Sequence, residues 1–377
     1  MIRVSEPLLG QEELTNVLRC VKSGWISSSG EFLEAFEAKW AAYCGRKYGV
    51  AVSNGTTALE LAVAALGLGP GDEVIVPTFT IISCVRAIIA AGATPVLVDA
   101  EPRTLCMDVS QVAARITQRT RAIMAVHIYG HPVDMDPILS LASRHGLAVI
   151  EDAAEAHGAE YLRHRRETQE SWQRCGGFGD VSVFSFYANK IVTTGEGGMV
   201  LCNDEQLARR LRSLRNLSFG QVRRFEHEDL GHNYRLTNIQ AAIGVAQVDR
   251  IQKAISRKRQ MAALYAKHLA DLTQLTLPVE EPWARSVYWM YGIRLGRDCP
   301  LDAAALGNAL SQKGIETRPF FLGMHEQPAL HARGYFRGER HPVAEEAARR
   351  GLYLPSGLTL SDEDVVHVAE TVREVLR

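Results

Sequence analysis

The chain has 377 residues, enough for two domains or for one large domain with a smaller partner. It carries 42 lysines and arginines against 43 aspartates and glutamates, and the resulting net charge of −1 argues against a nucleic-acid partner or an acidic tail. Hydrophobic residues make up 46% of the chain, which suffices for a substantial core, but no uninterrupted apolar run reaches the length of a membrane span.

The first residues contain no apolar signal core. The seven cysteines are scattered, odd in number and without a C-x-x-C pair. We therefore expect neither a disulfide framework nor a structural zinc site, and we expect a cytoplasmic protein without a membrane partner.

Short apolar runs typical of strands recur along the first half of the chain, and stretches with helical period lie between most of them. The runs are apolar throughout rather than alternating, which indicates strands buried on both faces of a mostly parallel α/β sheet. They are YGVAVS (48–53), DEVIVP (72–77), TPVLVD (94–99), RAIMAVHIYG (121–130), LAVIED (147–152) and VSVFSFY (181–187).

The second half has a different character. The pattern from Thr237 to about Leu269 predicts one long helix. It is followed by a less regular strand (VYWMYGIRL, 287–295), a helix (LDAAALGNALSQKG, 301–314) and a final amphipathic helix (361–377). We therefore predict a large domain over residues 1–249, including an N-terminal segment, and a smaller α/β domain over residues 250–377.

Ligands of open α/β sheets collect beyond the carboxyl ends of the strands, and three such ends carry suitable residues. The first is SNGTTALEL, where a strand runs through Gly55 and Thr56 into a helix. Free N–H groups and hydroxyls at a helix start suit a phosphate, although the same residues also form an ordinary helix cap. The G-x-x-x-x-G-K-[ST] loop of nucleoside triphosphatases is absent.

The second and third ends carry Asp152 and Lys190. At the sheet edge, the carboxylate of Asp152 can cap a helix, bind a metal or pair with a cation. A metal requires further ligands, and His157 and Glu155 alone are a weak set, so we expect no metal. Lys190 follows VSVFSFY and precedes TTGEGG; it is either a surface lysine at a strand end or a nucleophile that traps a carbonyl.

Together, a phosphate site, a carboxylate and a lysine match the needs of pyridoxal 5'-phosphate (PLP). The phosphate anchors this cofactor, its aldehyde takes the lysine, and a carboxylate keeps its ring nitrogen protonated.

The sequence resembles the DegT/DnrJ/EryC1/StrS sugar aminotransferases over nearly its whole length. The order and spacing of the shared segments make the match specific. These segments are GWISSSGEFLEAFE (24–37), SNGTTALELAVAALGLGPGDEVIVP (53–77), HIYGHPVDMDP (127–137), VIEDAAEAHGA (149–159), FSFYANKIVTTGEGGMV (184–200), NYRLTNIQAAIG (233–244), YWMY (288–291) and ETRPFF (316–321). The resemblance implies a fold-type I PLP-dependent aminotransferase, with a large domain around a mostly parallel sheet and a smaller C-terminal α/β domain.

The resemblance also implies roles for individual residues. Lys190 would hold the cofactor covalently and shuttle protons, Asp152 would pair with the ring nitrogen, and Glu155 would lie near the ring hydroxyl. The cofactor phosphate would be held by Gly55, Thr56 and Ser185, and by Asn233 of the second subunit of a homodimer. The substrate side would be lined by Ser27, Tyr187, Arg318 and His325.

Two departures from the family pattern stand out. Related sequences often have an aromatic residue at the position of Ile81, where it stacks on the cofactor ring. The segment 162–175 (LRHRRETQESWQRC) is longer than the hairpin connection usual there, and its charge favours a surface excursion that takes no part in the cofactor site.

The segments YWM, ETRP and LPS (354–356) resemble the branch that aminates C4 of GDP-4-keto-6-deoxymannose, with glutamate as the expected amino donor. Three alternatives remain open: a C3- or C4-aminotransferase for a dTDP- or UDP-linked keto sugar, a sugar dehydratase, and a protein of the same fold that acts as a sensor. Dehydratases of the family carry histidine in place of the lysine, and a sensor usually carries an added domain, for which the chain has no room.

Overall fold

The computed structural model describes residues 1–163, 171–220, 222–227 and 229–377. Its strands are β1 (Tyr48–Val52), β2 (Glu73–Pro77), β3 (Thr94–Val98), β4 (Thr120–Val126), β5 (Ala148–Asp152), β6 (Glu160–Arg163), β7 (Ser171–Arg174), β8 (Val181–Ser185), β9 (Gly198–Cys202), β10 (Leu275–Thr276), β11 (Ala284–Arg285), β12 (Tyr291–Leu295), β13 (Arg318–Pro319) and β14 (Gly351–Leu354).

Its α-helices are α1 (Gln11–Ser23), α2 (Glu31–Tyr43), α3 (Gly55–Ala65), α4 (Ile82–Ala90), α5 (Val109–Arg115), α6 (Met135–His145), α7 (Glu205–Arg215), α8 (Asn238–Asp249), α9 (Ile251–Leu269), α10 (Ala303–Gln312), α11 (Pro328–His331), α12 (Pro342–Arg350) and α13 (Asp362–Val375). Among the described residues, no helix is both long enough and apolar enough to cross a membrane.

A central sheet of seven strands organises the larger part of the molecule, in the order β1-β9-β8-β5-β4-β2-β3. Four neighbouring pairs, from β8 across to β3, are parallel. Strand β9 runs antiparallel to both of its neighbours, so β1 again points the same way as β8. The predicted α/β fold with a mostly parallel sheet is confirmed. All six predicted strand runs form strands of this sheet, and β9 is a strand that the sequence analysis missed.

The C-terminal part contains a second sheet in the order β10-β12-β14-β13, with antiparallel pairs throughout. Helices α9, α10 and α13 cover it and share a second apolar core that includes Tyr265, Leu306 and Val368. Trp289 and Phe320, from the same part of the sequence, pack instead into the core of the central sheet. The boundary between residues 249 and 250 stays a prediction.

The predicted long helix from Thr237 to Leu269 was wrong in one respect, because the structure breaks it at Arg250 into α8 and α9. Arg250 has φ −112° and ψ 9°, outside the helical region. Its guanidinium bonds the carbonyl of Leu8 and pairs with Glu13. Helix α8 packs against α1 and α2. Helix α9 starts in the same core through Ile251 and Ile255, and its later turns, with Tyr265, pack against α13 in the second core.

The flanks of the 162–175 segment form a hairpin. Strands β6 and β7 pair antiparallel, with Arg163 opposite Ser171, and β11 adds a third strand through Ala284 and Tyr161. The middle of the segment, residues 164–170, lies outside the described residues. Its predicted role as a surface excursion stays a prediction.

Candidate active site

A cavity of about 740 Å³ lies where the parallel strands of the central sheet end. Val126, Asp152 and Ser185 are the last residues of β4, β5 and β8, and all three line it. Asn54 and Thr80, which follow β1 and β2, line it as well. The strand ends therefore converge on one site, as expected for an open α/β sheet.

The first turn of α3 forms one end of this cavity. The side chain of Asn54 caps the helix by accepting a hydrogen bond from the N–H of Thr57 at 2.9 Å. A Cβ added to Gly55 would lie 2.7 Å from the Cβ of Ser185, so only glycine lets the helix start approach β8 this closely. The hydroxyls of Thr56 and Ser83 lie 2.8 Å apart. The start of α3 can thus be both a helix cap and an anion-binding site, and the anion-binding site suits the phosphate of PLP.

Lys190 reaches the cavity from the connection between β8 and β9. Its side chain is only 9% exposed, and its Nζ lies 3.8 Å from Oε1 of Glu155 and 3.6 Å from the ring centroid of Trp289. Burial lowers the pKa of Lys190, while the carboxylates of Glu155 and Asp152 act in the opposite direction. A buried amine with a lowered pKa is suited to attack an aldehyde.

Asp152 is 3% exposed and receives two hydrogen bonds. Its Oδ1 accepts the N–H of Ala154 at 3.0 Å, and its Oδ2 accepts the thiol of Cys84 at 3.2 Å. Burial raises the pKa of Asp152. These two hydrogen bonds compensate only part of the charge of the buried carboxylate. The protonated ring nitrogen of PLP would supply a positively charged partner, so the site fits this group.

Glu155 completes the group of buried charges. Its Oε2 accepts the N–H of Tyr129 at 2.8 Å, and burial raises its pKa to about 7, partly offset by Lys190. The backbone of Tyr129 has a positive φ of 51°, which is uncommon for a residue with a large side chain.

The structure brings together seven of the residues that the sequence indicated. Gly55, Thr56, Asp152, Glu155, Ser185, Tyr187 and Lys190 all line the cavity. Tyr187 is 48% exposed on its wall. Ile81, the aliphatic departure from the family pattern noted above, also lines the cavity.

The other predicted residues lie off this cavity. Ser27 and Asn233 are exposed; Asn233 accepts a hydrogen bond from Arg235 at 2.8 Å. Arg318 pairs with Glu316 at 2.7 Å and lies opposite Tyr353, a cavity residue, in the pairing of β13 with β14.

His325 does not lie on the cavity, in disagreement with its predicted place on the substrate side. It is 3% exposed, and both ring nitrogens are engaged: Nδ1 lies 2.8 Å from the hydroxyl of Thr78 and Nε2 lies 3.2 Å from Glu345. A histidine held in this way is a buried link between the loop after β2 and α12.

Buried histidines near the site also have structural partners. His157 packs against Trp40 and Phe184, and burial lowers its pKa to about 3. His127 and Glu151, with Cys175, have ligand atoms within 4.8 Å of one another. Glu151, however, already accepts hydrogen bonds from His127 and from the N–H groups of residues 176 and 178. Because these hydrogen bonds engage the carboxylate oxygens of Glu151, the cluster leaves few free ligand atoms for a metal.

Sequence reasoning missed two of the neighbours that define the site. Cys84 and Asp152 are 68 positions apart, and Trp289 lies far from Lys190 in the sequence. Only the YWM segment gave a signal, as part of a resemblance rather than as a site residue.

The model of the DegT/DnrJ/EryC1/StrS aminotransferase family matches residues 7–373, and the chain belongs to this family. The resemblance inferred from the motifs is thus confirmed. The chain is a PLP-dependent aminotransferase, as its family and the residues around Lys190 define it.

Three similar proteins show the range of its relatives. The GDP-perosamine synthase of Caulobacter vibrioides is 43% identical over 376 residues, covering 100% of this chain and 98% of its own. The dTDP-3-amino-3,4,6-trideoxy-alpha-D-glucose transaminase of Streptomyces venezuelae is 40% identical, covering 92% and 87%. A Streptococcus pneumoniae protein solved in its PLP form superimposes with a TM-score of 0.91 at 25% identity, covering 99% and 97%.

Proposed function

We propose that this aminotransferase moves an amino group from glutamate to C4 of GDP-4-keto-6-deoxymannose and so forms GDP-perosamine. The observation that carries the proposal is a buried lysine and a buried carboxylate in one cavity, in a chain 43% identical over its full length to a GDP-perosamine synthase. Seven unpaired cysteines fit a reducing cytoplasm as the place of this reaction.

Lys190 is the catalytic residue of this proposal. PLP, when bound, supplies an aldehyde for the lysine and an electron-withdrawing ring that carries the nitrogen between the two half-reactions. Once its amine is free, Lys190 takes a proton from the carbon of the donor and returns one to the carbon of the acceptor. The lowered pKa of Lys190 supports this role, because the amine must alternate between its neutral and charged forms near neutral pH.

Asp152 would hold the proton on the ring nitrogen, and Glu155, 3.8 Å from Nζ of Lys190, would lie near the ring hydroxyl. Gly55, Thr56 and Ser185 would hold the phosphate at the start of α3. This division of labour follows from the chemistry of the groups: an anion site at the helix start, and a lysine with two buried carboxylates.

The substrate enters on the side of Tyr187, which offers an aromatic surface to a deoxygenated C6 methyl group. The volume of about 740 Å³ is ample for a cofactor and a hexose together. Arg318 lies next to the cavity residue Tyr353 in the sheet, and we assign it to the diphosphate of the nucleotide.

A homodimer completes the site, with Asn233 and Ser27 supplied by the second subunit. Both are exposed and lie off the cavity of their own protomer. An exposed apolar stripe on and after α1, at helical spacing, supports a subunit interface there. Its members are Leu14, Leu18, Val21 and Trp25, each between 47% and 59% exposed.

A second candidate is amination at C3 of a dTDP-linked sugar, favoured by the 40% identity to the transaminase of Streptomyces venezuelae. A sugar turned over in the pocket presents C3 to the same lysine, so the chemistry of Lys190 does not separate the two.

The deciding experiment compares kcat/KM for GDP-4-keto-6-deoxymannose, dTDP-4-keto-6-deoxyglucose and a 3-keto isomer, with glutamate as donor. We expect the GDP sugar to be preferred. A preference of more than tenfold for either competitor, about 1.4 kcal/mol in transition-state binding, would overturn the substrate assignment and leave the aminotransferase assignment in place.

A further inference from the structure

The face of the Trp289 ring covers the ammonium group of Lys190. The Nζ lies 3.6 Å from the ring centroid, and both side chains are largely buried: Trp289 is 4% exposed and the Lys190 side chain 9%. An ammonium over an indole face is attracted by the negative centre of the ring, most strongly where water is excluded. Glu155 lies at 3.8 Å from the same nitrogen, so the lysine has one charged and one neutral neighbour.

Trp289 is fixed at both its ring and its backbone. Its Nε1–H donates to the carbonyl of Asn189, the residue before the lysine, at 2.8 Å. Its own carbonyl accepts a hydrogen bond from Nζ of Lys258 at 2.7 Å. The ring therefore bonds the segment that carries the lysine while it covers the lysine itself.

Lys258 is an unusual anchor because it lies in the core. It is 3% exposed, and its second acceptor is the carbonyl of Ser356, in the LPS segment. Burial lowers the pKa of Lys258 to about 7. The hydroxyl of Ser356 in turn accepts the N–H of Tyr291 at 3.0 Å. The proposed function gave the YWM and LPS segments no role. Lys258 joins them through hydrogen bonds to Trp289 and Ser356, and together they hold Trp289 beside Lys190.

We propose that Trp289 is a positioning residue for Lys190, which holds the free lysine in place and stabilises its charged form while the cofactor is attached to the substrate instead. This rests on the proposed catalytic role of Lys190. A carboxylate beside an ammonium is itself a proton acceptor, whereas an indole ring is not. The ring therefore stabilises the positive charge without removing the proton that the lysine has to deliver.

The test follows covalent attachment of PLP to the apoprotein, recorded as cofactor absorbance across a pH series. The neutral amine adds to the aldehyde and water leaves, so a charged lysine must first release its proton. The midpoint of the pH dependence thus reports how strongly the site stabilises the ammonium. Trp289→Phe and Trp289→Leu both lose the indole N–H and both leave a smaller apolar side chain, but only phenylalanine keeps an aromatic face.

We expect the midpoint of Trp289→Leu to lie at lower pH than that of Trp289→Phe. At a fixed pH below both midpoints, attachment would then be about three- to fivefold faster in the leucine variant, relative to each variant's own maximum rate. Trp172→Leu is the matched control, because Trp172 lies under Arg285 at 3.8 Å and away from the cavity. Its midpoint should equal that of the unmodified protein.

Equal midpoints for the phenylalanine and leucine variants, or a higher one for leucine, would overturn the role of Trp289. Lys190→Ala separates this outcome from failure of the proposed function. Attachment that persists in Lys190→Ala would show that another lysine takes the aldehyde. Attachment that is lost in Lys190→Ala, together with equal midpoints in the two Trp289 variants, would reject the role of Trp289 alone.

Discussion

The thiol of Cys84, on α4, donates a hydrogen bond to Oδ2 of Asp152, at the end of β5, over 3.2 Å. The hydroxyl of Thr80 lies 3.2 Å from the same sulfur. All three side chains are buried. The carboxylate that we assign to the ring nitrogen of PLP is thus held by a hydrogen bond from the side chain of Cys84.

We expect Cys84→Ala to weaken PLP binding by about fivefold, since it removes one donor from a buried carboxylate, a loss of about 1 kcal/mol. Without that donor the pKa of Asp152 rises further, so loss of cofactor on acidification should begin at higher pH. Cys84→Ser, which keeps a donor, should retain most of the affinity. Cofactor titration of each apoprotein measures this, with Cys299→Ala as a buried control. Equal affinity of the alanine and serine variants would contradict the role of the thiol.

Asp152→Asn should lower turnover by two decades or more. The substitution nearly preserves the shape of the side chain but leaves a charged ring nitrogen unpaired, which costs roughly 3–5 kcal/mol in a buried site. Steady-state kinetics at saturating cofactor measures the effect. A fall of less than twofold would show that another group keeps the nitrogen protonated.

Glu155 should make the stability of the apoprotein depend on pH. Its pKa rises from 4.5 to about 7 in the folded state, so the native chain holds this proton more tightly than the unfolded chain. The resulting stabilisation is full below about pH 4.5 and is lost as the pH rises to about 7. Glu155→Gln mimics the protonated form at every pH.

The unfolding free energy of Glu155→Gln, relative to the unmodified apoprotein, should therefore increase between these two pH values, by up to about 3 kcal/mol. Denaturant titrations at several pH values measure it, and Glu370→Gln, at an exposed position, should show no such trend. A constant difference between variant and unmodified protein would mean that Glu155 does not titrate in this window.

Subunits that lack different parts of the site should complement one another. Co-expression of Lys190→Ala with Asn233→Ala subunits should restore activity to about a quarter of the unmodified level, because half of the dimers are mixed and each mixed dimer has one intact site. Lys190→Ala with Asp152→Asn is the control without recovery, since both residues act within one subunit. A fully active monomer in ultracentrifugation would refute the shared site.

Residues 164–170 of the 162–175 segment should be dispensable for cofactor binding. Arg163 and Ser171 face each other across β6 and β7, so an Asn-Gly turn in place of residues 164–170 closes the hairpin in its present register. The shortened protein should bind PLP with unchanged absorbance. Loss of the cofactor signal from a folded variant would show that the segment contributes to the site.

The parts of the site that the sequence predicted are those tied to strand ends. Asp152 and Gly55 were identifiable because apolar runs locate the strands, and a mostly parallel sheet gathers their carboxyl ends at one edge. Ser185 was given only by the family resemblance. Lys190 was identifiable because it follows such a run. The family motifs then supplied roles that spacing alone left open.

What the sequence did not predict depends on contacts between distant segments. The bond from Cys84 to Asp152 and the cover of Trp289 over Lys190 have no local pattern. The break at Arg250 has none either, because residues 237–269 are compatible with one helix, and the partners of Arg250, Leu8 and Glu13, come from a distant part of the sequence. The burial of His325 between Thr78 and Glu345 has no local pattern either, since the resemblance indicated its place and the sequence did not show these partners.

The position of β1 at the outer edge of the central sheet has a consequence for biosynthesis. Among the described strands its neighbour in that sheet is β9, which begins at Gly198, and Val52 of β1 also bridges Arg235. Strand β1 therefore stays unpaired until β9 has been synthesised. Gly55 and Thr56 follow β1 directly, whereas the lysine connection is closed locally by the antiparallel pairing of β8 with β9. A nascent chain thus cannot join Gly55 and Thr56 to the rest of the sheet, or close its lysine connection, before β9 has been synthesised, and it has no complete binding site for PLP before then.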